Sequence, residues 1–159
     1  MVEEHLRNPE IISFATIIFA IVLFVADRKR GVRRLGDLSY KDAFLVGLAQ
    51  SIALIPGVSR AGATLAAALF LGYSRIESLK FAVLLSVPVI ILASFSEFGA
   101  FWMRESTFEF FDLFFVFIGS MISAYFCLML LFKFIGRIGL LPFVVYRLIL
   151  GSLILIFFI

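Results

Sequence analysis

Ser59, Arg60 and Thr64 fall close together in "LIPGVSRAGATL", a stretch from Leu54 to Leu65 that also holds Pro56, Gly57 and Gly62. These residue types suit one chemistry. A guanidinium presents a planar fork of donors that matches phosphate oxygens. Serine is a favoured N-cap, so a helix starting at Ser59 leaves the N–H groups of Arg60, Ala61, Gly62 and Ala63 without intrahelical partners. Those amides, with the positive end of the helix dipole, attract an anion. Gly57 and Gly62 let a ligand approach the backbone closely. Thr64 is one turn beyond Arg60 and near the same face. The pattern predicts an oxyanion cradle for a phosphate or diphosphate. The alternative is an Arg60 that pairs with an acid elsewhere and only fixes packing.

The surroundings of this stretch are what make it unusual. The chain has 159 residues, 63% of them hydrophobic, with 21 phenylalanines and a mean hydropathy of +1.13. Soluble domains run nearer ~45–50% apolar, so the composition predicts an integral membrane protein. Four stretches are long and apolar enough to span: Pro9 to Ala26, Leu79 to Phe98, Leu113 to Phe132, and Ile138 to Ile159. A helix needs about 20 residues to cross a ~30 Å core. Between the first two spans lie two shorter apolar arms, Ala43 to Ile55 and Ala61 to Gly72. Each reaches only ~20 Å at 1.5 Å per residue. Joined as one straight helix they would bury Pro56 and Arg60 mid-membrane, and an interior proline costs ~3 kcal/mol or more. A re-entrant hairpin at about 43–72 is the better reading. Broken backbone at membrane depth is tolerated only inside protein or beside a water-filled cavity, although some breaks are plain kinks.

Charge sets the orientation. The net charge is +3, and "DRKRGVRR", Asp27 to Arg34, holds five of the 14 basic residues. Beside apolar spans this reads as a cytoplasmic loop obeying the positive-inside bias, not as a nucleic-acid patch. The hairpin then enters and leaves on the cytoplasmic side. "YSRIESLK" lies inside, the Phe101–Asp112 loop outside, and "KFIGRIG" supplies Lys133 and Arg137 inside. Trp102 is placed in an interfacial belt. His5, the only histidine, reads as a solvated terminal residue. Cys127, the only cysteine, can form no disulfide within the chain and no Cys/His metal site. The first span lacks a small-residue cleavage site and is not read as a signal peptide.

"GLAQSIALIPGVSRAGATL", Gly47 to Leu65, resembles the PGxSRSG-type signature of the undecaprenyl-diphosphate phosphatase family, the bacitracin-resistance phosphatases of bacterial membranes. "LSYKDAFLVGLAQ", "LGYSRIESLKFAVLLSVPVI" and "PFVVYRLILG" are also similar, so the resemblance covers essentially the whole chain. It implies hydrolysis of the C55 isoprenyl diphosphate to the monophosphate, recycling the lipid carrier of cell-wall synthesis at the bacterial plasma membrane. It gives Arg60 the role of binding and polarising the diphosphate, with Ser59 and Thr64 assisting. The second serine of the signature is Ala61 here, so one hydroxyl contact is missing. The family also has an N-terminal repeat with a glutamate-rich motif and a histidine, which supply nucleophile activation and contacts to a divalent cation, Mg or Ca. This chain begins after that repeat. The implied fold is therefore all-α: four transmembrane helices plus one re-entrant hairpin, a single membrane domain over 1–159 forming one half of an inverted-repeat bundle. The metal ligands are expected outside this chain. The carboxylates Glu97, Glu105, Glu109 and Asp112 read as interfacial.

Gln50 stands where the other repeat of the family carries an acid, which suggests hydrogen bonding to substrate, with hairpin packing as the alternative. Arg147, in "YRLIL", binds lipid phosphate, pairs structurally, or snorkels. Gly57, Ala61 and Gly62 are backbone contacts to substrate. Ser51 and Ser86 read as small packing residues. The expected partners are the isoprenyl diphosphate lipid and membrane lipids. No nucleic acid is expected, and a homodimer is left open. Two other functions share these features. Half-helices whose N-termini face an anion at midplane are also a transporter device, so a lipid-phosphate flippase competes, as does a non-catalytic membrane component.

Overall fold

The computed structural model describes residues 8–102 and 110–158, the side chains of 97–102, 110 and 112 excepted. The expectations for His5, for the outer loop with Trp102 and Arg104, and for Glu97, Glu105, Glu109 and Asp112 fall outside the described residues.

Helix α1 runs Pro9–Arg28, α2 Tyr40–Ile52, α3 Arg60–Phe70, α4 Arg75–Trp102, α5 Phe110–Ile138 and α6 Leu141–Phe158. Apart from a three-residue 3-10 turn at Leu35–Asp37 and one isolated bridge, the described secondary structure is α-helical. Four helices are long and apolar enough to cross a membrane: Pro9–Arg28, Arg75–Ser96, Leu113–Ile138 and Leu141–Phe158. The protein is a multi-pass membrane protein. α2 and α3, with 13 and 11 residues, are the two short arms of the hairpin.

Several ends differ from the sequence reading, each for a local reason. α4 begins at Arg75, not Leu79, because Ser74 accepts a hydrogen bond from the Glu77 amide at 3.4 Å. "RIESLK" is therefore helix. α5 carries Lys133 and Arg137 on its last turns and stops at Gly139, whose φ of 77° is the left-handed conformation that ends helices. α6 accordingly starts three residues later than expected, at Leu141. α1 starts at Pro9 as expected, with Asn8 capping the Glu10 amide.

α3 occupies the centre. Its sequence, "RAGATLAAALF", is built from small residues, so neighbours approach it from several sides. Leu65, Ala66 and Leu69 pack with Ala20, Leu23 and Ala26 of α1, Leu79 and Ala82 of α4, Ile135 of α5, and Val144 of α6. Val46 of α2 joins Ala68, Tyr73 and Phe81 in a second cluster. α1 and α6 lie close along their length, where a side chain at Gly151 would strike Ile17 at 2.7 Å. α5 is the outlier: none of its Leu113–Ile138 span's most apolar window is buried.

The base of the hairpin is held by polar contacts at the basic end of the bundle. Arg33 and Tyr73 form a backbone bridge, with Arg33 N donating to Gly72 O at 3.0 Å and Ser74 N to Arg33 O at 3.1 Å. Asp42, buried, accepts from Arg33 at 2.7 Å and from the Tyr73 hydroxyl at 2.9 Å. Both arms of the hairpin therefore meet at one carboxylate. Asp27 does the same for the long helices, accepting from Arg75 Nη2 at 2.9 Å and from the Leu140 amide at 3.2 Å.

The Arg33 guanidinium, with the Tyr73 hydroxyl, holds the Asp42 carboxyl well below the usual carboxylate range. Its folded pKa lies below its unfolded one. The stabilisation is then fully present above the unfolded value of about 4 and is lost as pH falls through the depressed one. Asp42→Asn should lower the melting temperature in detergent at pH 7. That gap to wild type should narrow only as the pH drops below about 4. An equal gap at pH 7 and pH 3 would mean that the charge of Asp42 does not hold the hairpin base.

Candidate anion site at the hairpin break

Residues Ala53–Ser59 connect the two arms without helix. Pro56 cannot donate its nitrogen to a helix. Gly57 then turns left-handed, with φ of 94°, and Ser59 does so too, with φ of 65°. A left-handed non-glycine residue costs about 1–3 kcal/mol and persists only where its surroundings enforce it. The reward is direction: α3 starts abruptly at Arg60. At 1.5 Å per residue, α3 puts that start ~16 Å from the hairpin base, roughly halfway across a ~30 Å hydrocarbon core.

Ser59 caps α3 as expected, accepting from the Gly62 amide at 3.3 Å. Ala63 N reaches the Ser59 carbonyl at 3.0 Å. The cradle is thus narrower than the sequence suggested. Two of the four amides are satisfied within the turn, and those of Arg60 and Ala61 are left to face a ligand. Thr64 donates to the Arg60 and Ala61 carbonyls, each at 3.1 Å, and is buried. Its proton is committed to backbone, so toward a ligand it offers lone pairs only.

Arg60 is exposed, and its guanidinium makes no hydrogen bond or ion pair among the described residues. The packing alternative, an arginine paired with an acid, has no support among them. The guanidinium borders a cavity of about 450 Å³ between the hairpin and α4. Gln50, Gly57, Ser59, Ala61 and Thr64 border the same space, so most of the residues named from sequence converge. Ser86 of α4 lies there too. Its sequence context suggests packing only, and its hydroxyl donates to Val83 O at 2.7 Å.

Two residues named as substrate contacts, Gly62 and Arg147, do not border this cavity. Gly62 gives its amide to the Ser59 cap. Arg147 lines a separate pocket. It donates to the Gly57 carbonyl at 2.7 Å. The bare Cα of Gly57 faces α1, where a methyl group would meet Ile12 O at 2.5 Å. Glycine is required there by packing as well as by its φ. Thr16 of α1, which no sequence signal marked, also donates to Gly57 O, at 3.3 Å.

Comparison with known proteins bears on this geometry. Residues 1–153 match the model of the family described as bacitracin resistance protein BacA. The chain belongs to the BacA family. This BacA-family chain is 43% identical over its whole length to an undecaprenyl-diphosphatase of Campylobacter curvus. Over 98% of its length it is 41% identical to one of Teredinibacter turnerae. It is also 42% identical, over 99% of its length, to undecaprenyl-diphosphatase 2 of Stutzerimonas stutzeri. It spans about 60% of the length of each of these relatives.

Proposed function

We propose that this chain supplies the anion-binding half of an undecaprenyl-diphosphate phosphatase of the bacterial plasma membrane. The observation that carries the reading is Arg60: an unpaired guanidinium at the start of the second hairpin arm, beside a cavity of about 450 Å³. Intramembrane charge is costly and functional by default. The names of the relatives supply the substrate class.

A divalent cation is expected from the family resemblance. The cavity offers Gln50, Ser59, Thr64 and Ser86 as oxygen donors and no carboxylate. Among the described residues no three Asp, Glu, His or Cys come together. Mg²⁺ and Ca²⁺ sites rest on carboxylates, so these residues do not fit a cation by themselves.

Hydrolysis breaks the bond between the β-phosphorus and the bridging oxygen. The bonding electrons leave with undecaprenyl phosphate, and water supplies the new hydroxyl of inorganic phosphate. Arg60 and the amides of Arg60 and Ala61 would hold the diphosphate oxygens as negative charge shifts to the leaving group. The Gln50 amide would add one neutral donor.

The decisive assay measures phosphate release from undecaprenyl diphosphate by the chain assembled with the N-terminal part of a full-length relative. Lipid movement without phosphate release would favour the transporter reading instead. The basic loop is assigned to the cytoplasm, which puts the cavity past the inner leaflet. Gly36 sits in that loop with open space around its Cα. A Gly36→Cys variant should be labelled in inverted vesicles and protected in intact cells. Labelling from outside would reverse the orientation.

A further inference from the structure

Arg147 faces a different space from Arg60. It borders a pocket of about 140 Å³ on another side of the α3 start, lined by Leu23, Leu65, Leu79 and Ile135. Only Ser59 and Arg147 carry polar side chains there. That apolar space is no place for a diphosphate, and Arg60 does not border it. The two arginines thus border different cavities, on either side of Ser59 and Ala61.

The Arg147 guanidinium instead bridges the break. Its Nη2 donates to Gly57 O at 2.7 Å. Its Nη1 lies 3.1 Å from where a Cβ on Gly62 would sit. It thus passes between the residue that leaves the first arm and the first turn of the second. The Gly57 carbonyl has no helical donor, and a carbonyl at membrane depth must be paired. Thr16 also reaches it, at 3.3 Å, but shares its proton with Ile12 O at 2.7 Å. Arg147 supplies the charged, shorter bond.

We propose that Arg147 is a positioning residue: by holding the Gly57 carbonyl it fixes the left-handed backbone of Gly57 and Ser59, and so aims the α3 N-terminus and Arg60 at the cavity. The bare Cα of Gly62 leaves the guanidinium room, since a Cβ there would sit 3.1 Å from Nη1. The proposal rests on the anion-site reading for its consequence in catalysis, but its structural content can be tested apart.

Hydrogen exchange measured by mass spectrometry on the chain in lipid nanodiscs reads the backbone directly. Arg147→Gln should speed exchange of the amides in 57–63 by roughly ten- to a hundredfold, the scale of losing one charge-assisted hydrogen bond. Arg60→Gln should leave it unchanged. Gly62→Ala, which crowds the guanidinium by a few tenths of an ångström without removing it, should act in the same direction as Arg147→Gln, less strongly, and serves if that variant does not fold. In the assembled enzyme Arg147→Gln should lower kcat with KM little changed, and Arg147→Lys should recover part of the loss. Unaltered exchange in both Arg147→Gln and Gly62→Ala overturns the proposal. So does a raised KM at normal kcat, which would make Arg147 a substrate ligand. If the wild-type assembly hydrolyses nothing, the phosphatase reading fails while the exchange result still decides the role of Arg147.

Discussion

Arg60→Ala in the assembled enzyme should lower kcat by roughly 10²–10³-fold, the measured scale for removing one preorganised donor from a transition state. The loss should fall on kcat and not on KM alone. A diphosphate brings several negative charges into a site of low dielectric, where a charge-assisted contact is worth far more than at a surface. Charge also moves onto the leaving phosphate as the bond breaks, so the contact strengthens along the reaction. The structure sharpens this expectation. Arg60 has no partner among the described residues, so its removal leaves no buried acid behind. Its side chain is exposed to the cavity, so its removal opens no hole in the core. The variant should therefore fold, and its loss of rate can be read as chemistry. Arg60→Lys keeps the charge without the planar fork and should rescue in part. Steady-state phosphate release against substrate concentration separates the two parameters. A stably folded Arg60→Ala enzyme with near-normal kcat would make the arginine structural.

The 159-residue chain on its own should show no measurable turnover, and co-production with the N-terminal part of a full-length relative should restore it. A positioned base contributes ~10²–10⁴-fold. The residues around the cavity include an arginine, an amide and hydroxyls, but no carboxylate and no histidine to take a proton from the nucleophile. The comparison is made with purified chain, with the co-purified pair, and with the N-terminal part alone. Robust turnover by the chain alone would overturn the reading of the cavity as half a site.

Much of this was legible in the sequence because membranes impose few solutions. Apolar length gave the four spans. Two arms too short to cross, separated by Pro56 and Gly57, gave the hairpin, and Ser59 gave the cap. What was missed has two causes. The spans read from hydropathy start at Leu79 and end at Phe132, although Glu77, Lys133 and Arg137 beyond those bounds are helical too. Hydropathy marks where a helix leaves the hydrocarbon, not where its hydrogen bonds stop. Contacts to the Gly57 carbonyl were invisible for another reason. Thr16 and Arg147 come to it from 41 and 90 residues away, and a backbone acceptor leaves no mark in residue type. Asp42 drew no notice either, since a carboxylate in a polar connection looks solvated until Arg33 and Tyr73 close on it.

The cavity has walls of unequal stiffness. Its hairpin wall is fastened twice, at the base through Asp42 and at the break through Thr16 and Arg147. Its α4 wall is fastened once. Among the described residues, the hydrogen bonds from α4 to other elements come from Arg75 and Glu77, within its first turn. The cavity-lining residues Ala82, Ser86 and Ile90 lie beyond that point. Mechanically, α4 is clamped by polar contacts at one end, is held through Ala82 by apolar packing alone, and makes no polar contact to another described element at Ser86 or Ile90. A small tilt at the clamp becomes a displacement of several ångströms at Ile90, some 20 Å along the helix, and breaks no polar contact on the way. Under the function proposed above, the more compliant jaw is the side on which a bulky lipid would enter, while the rigid jaw keeps Arg60 and its amides in register.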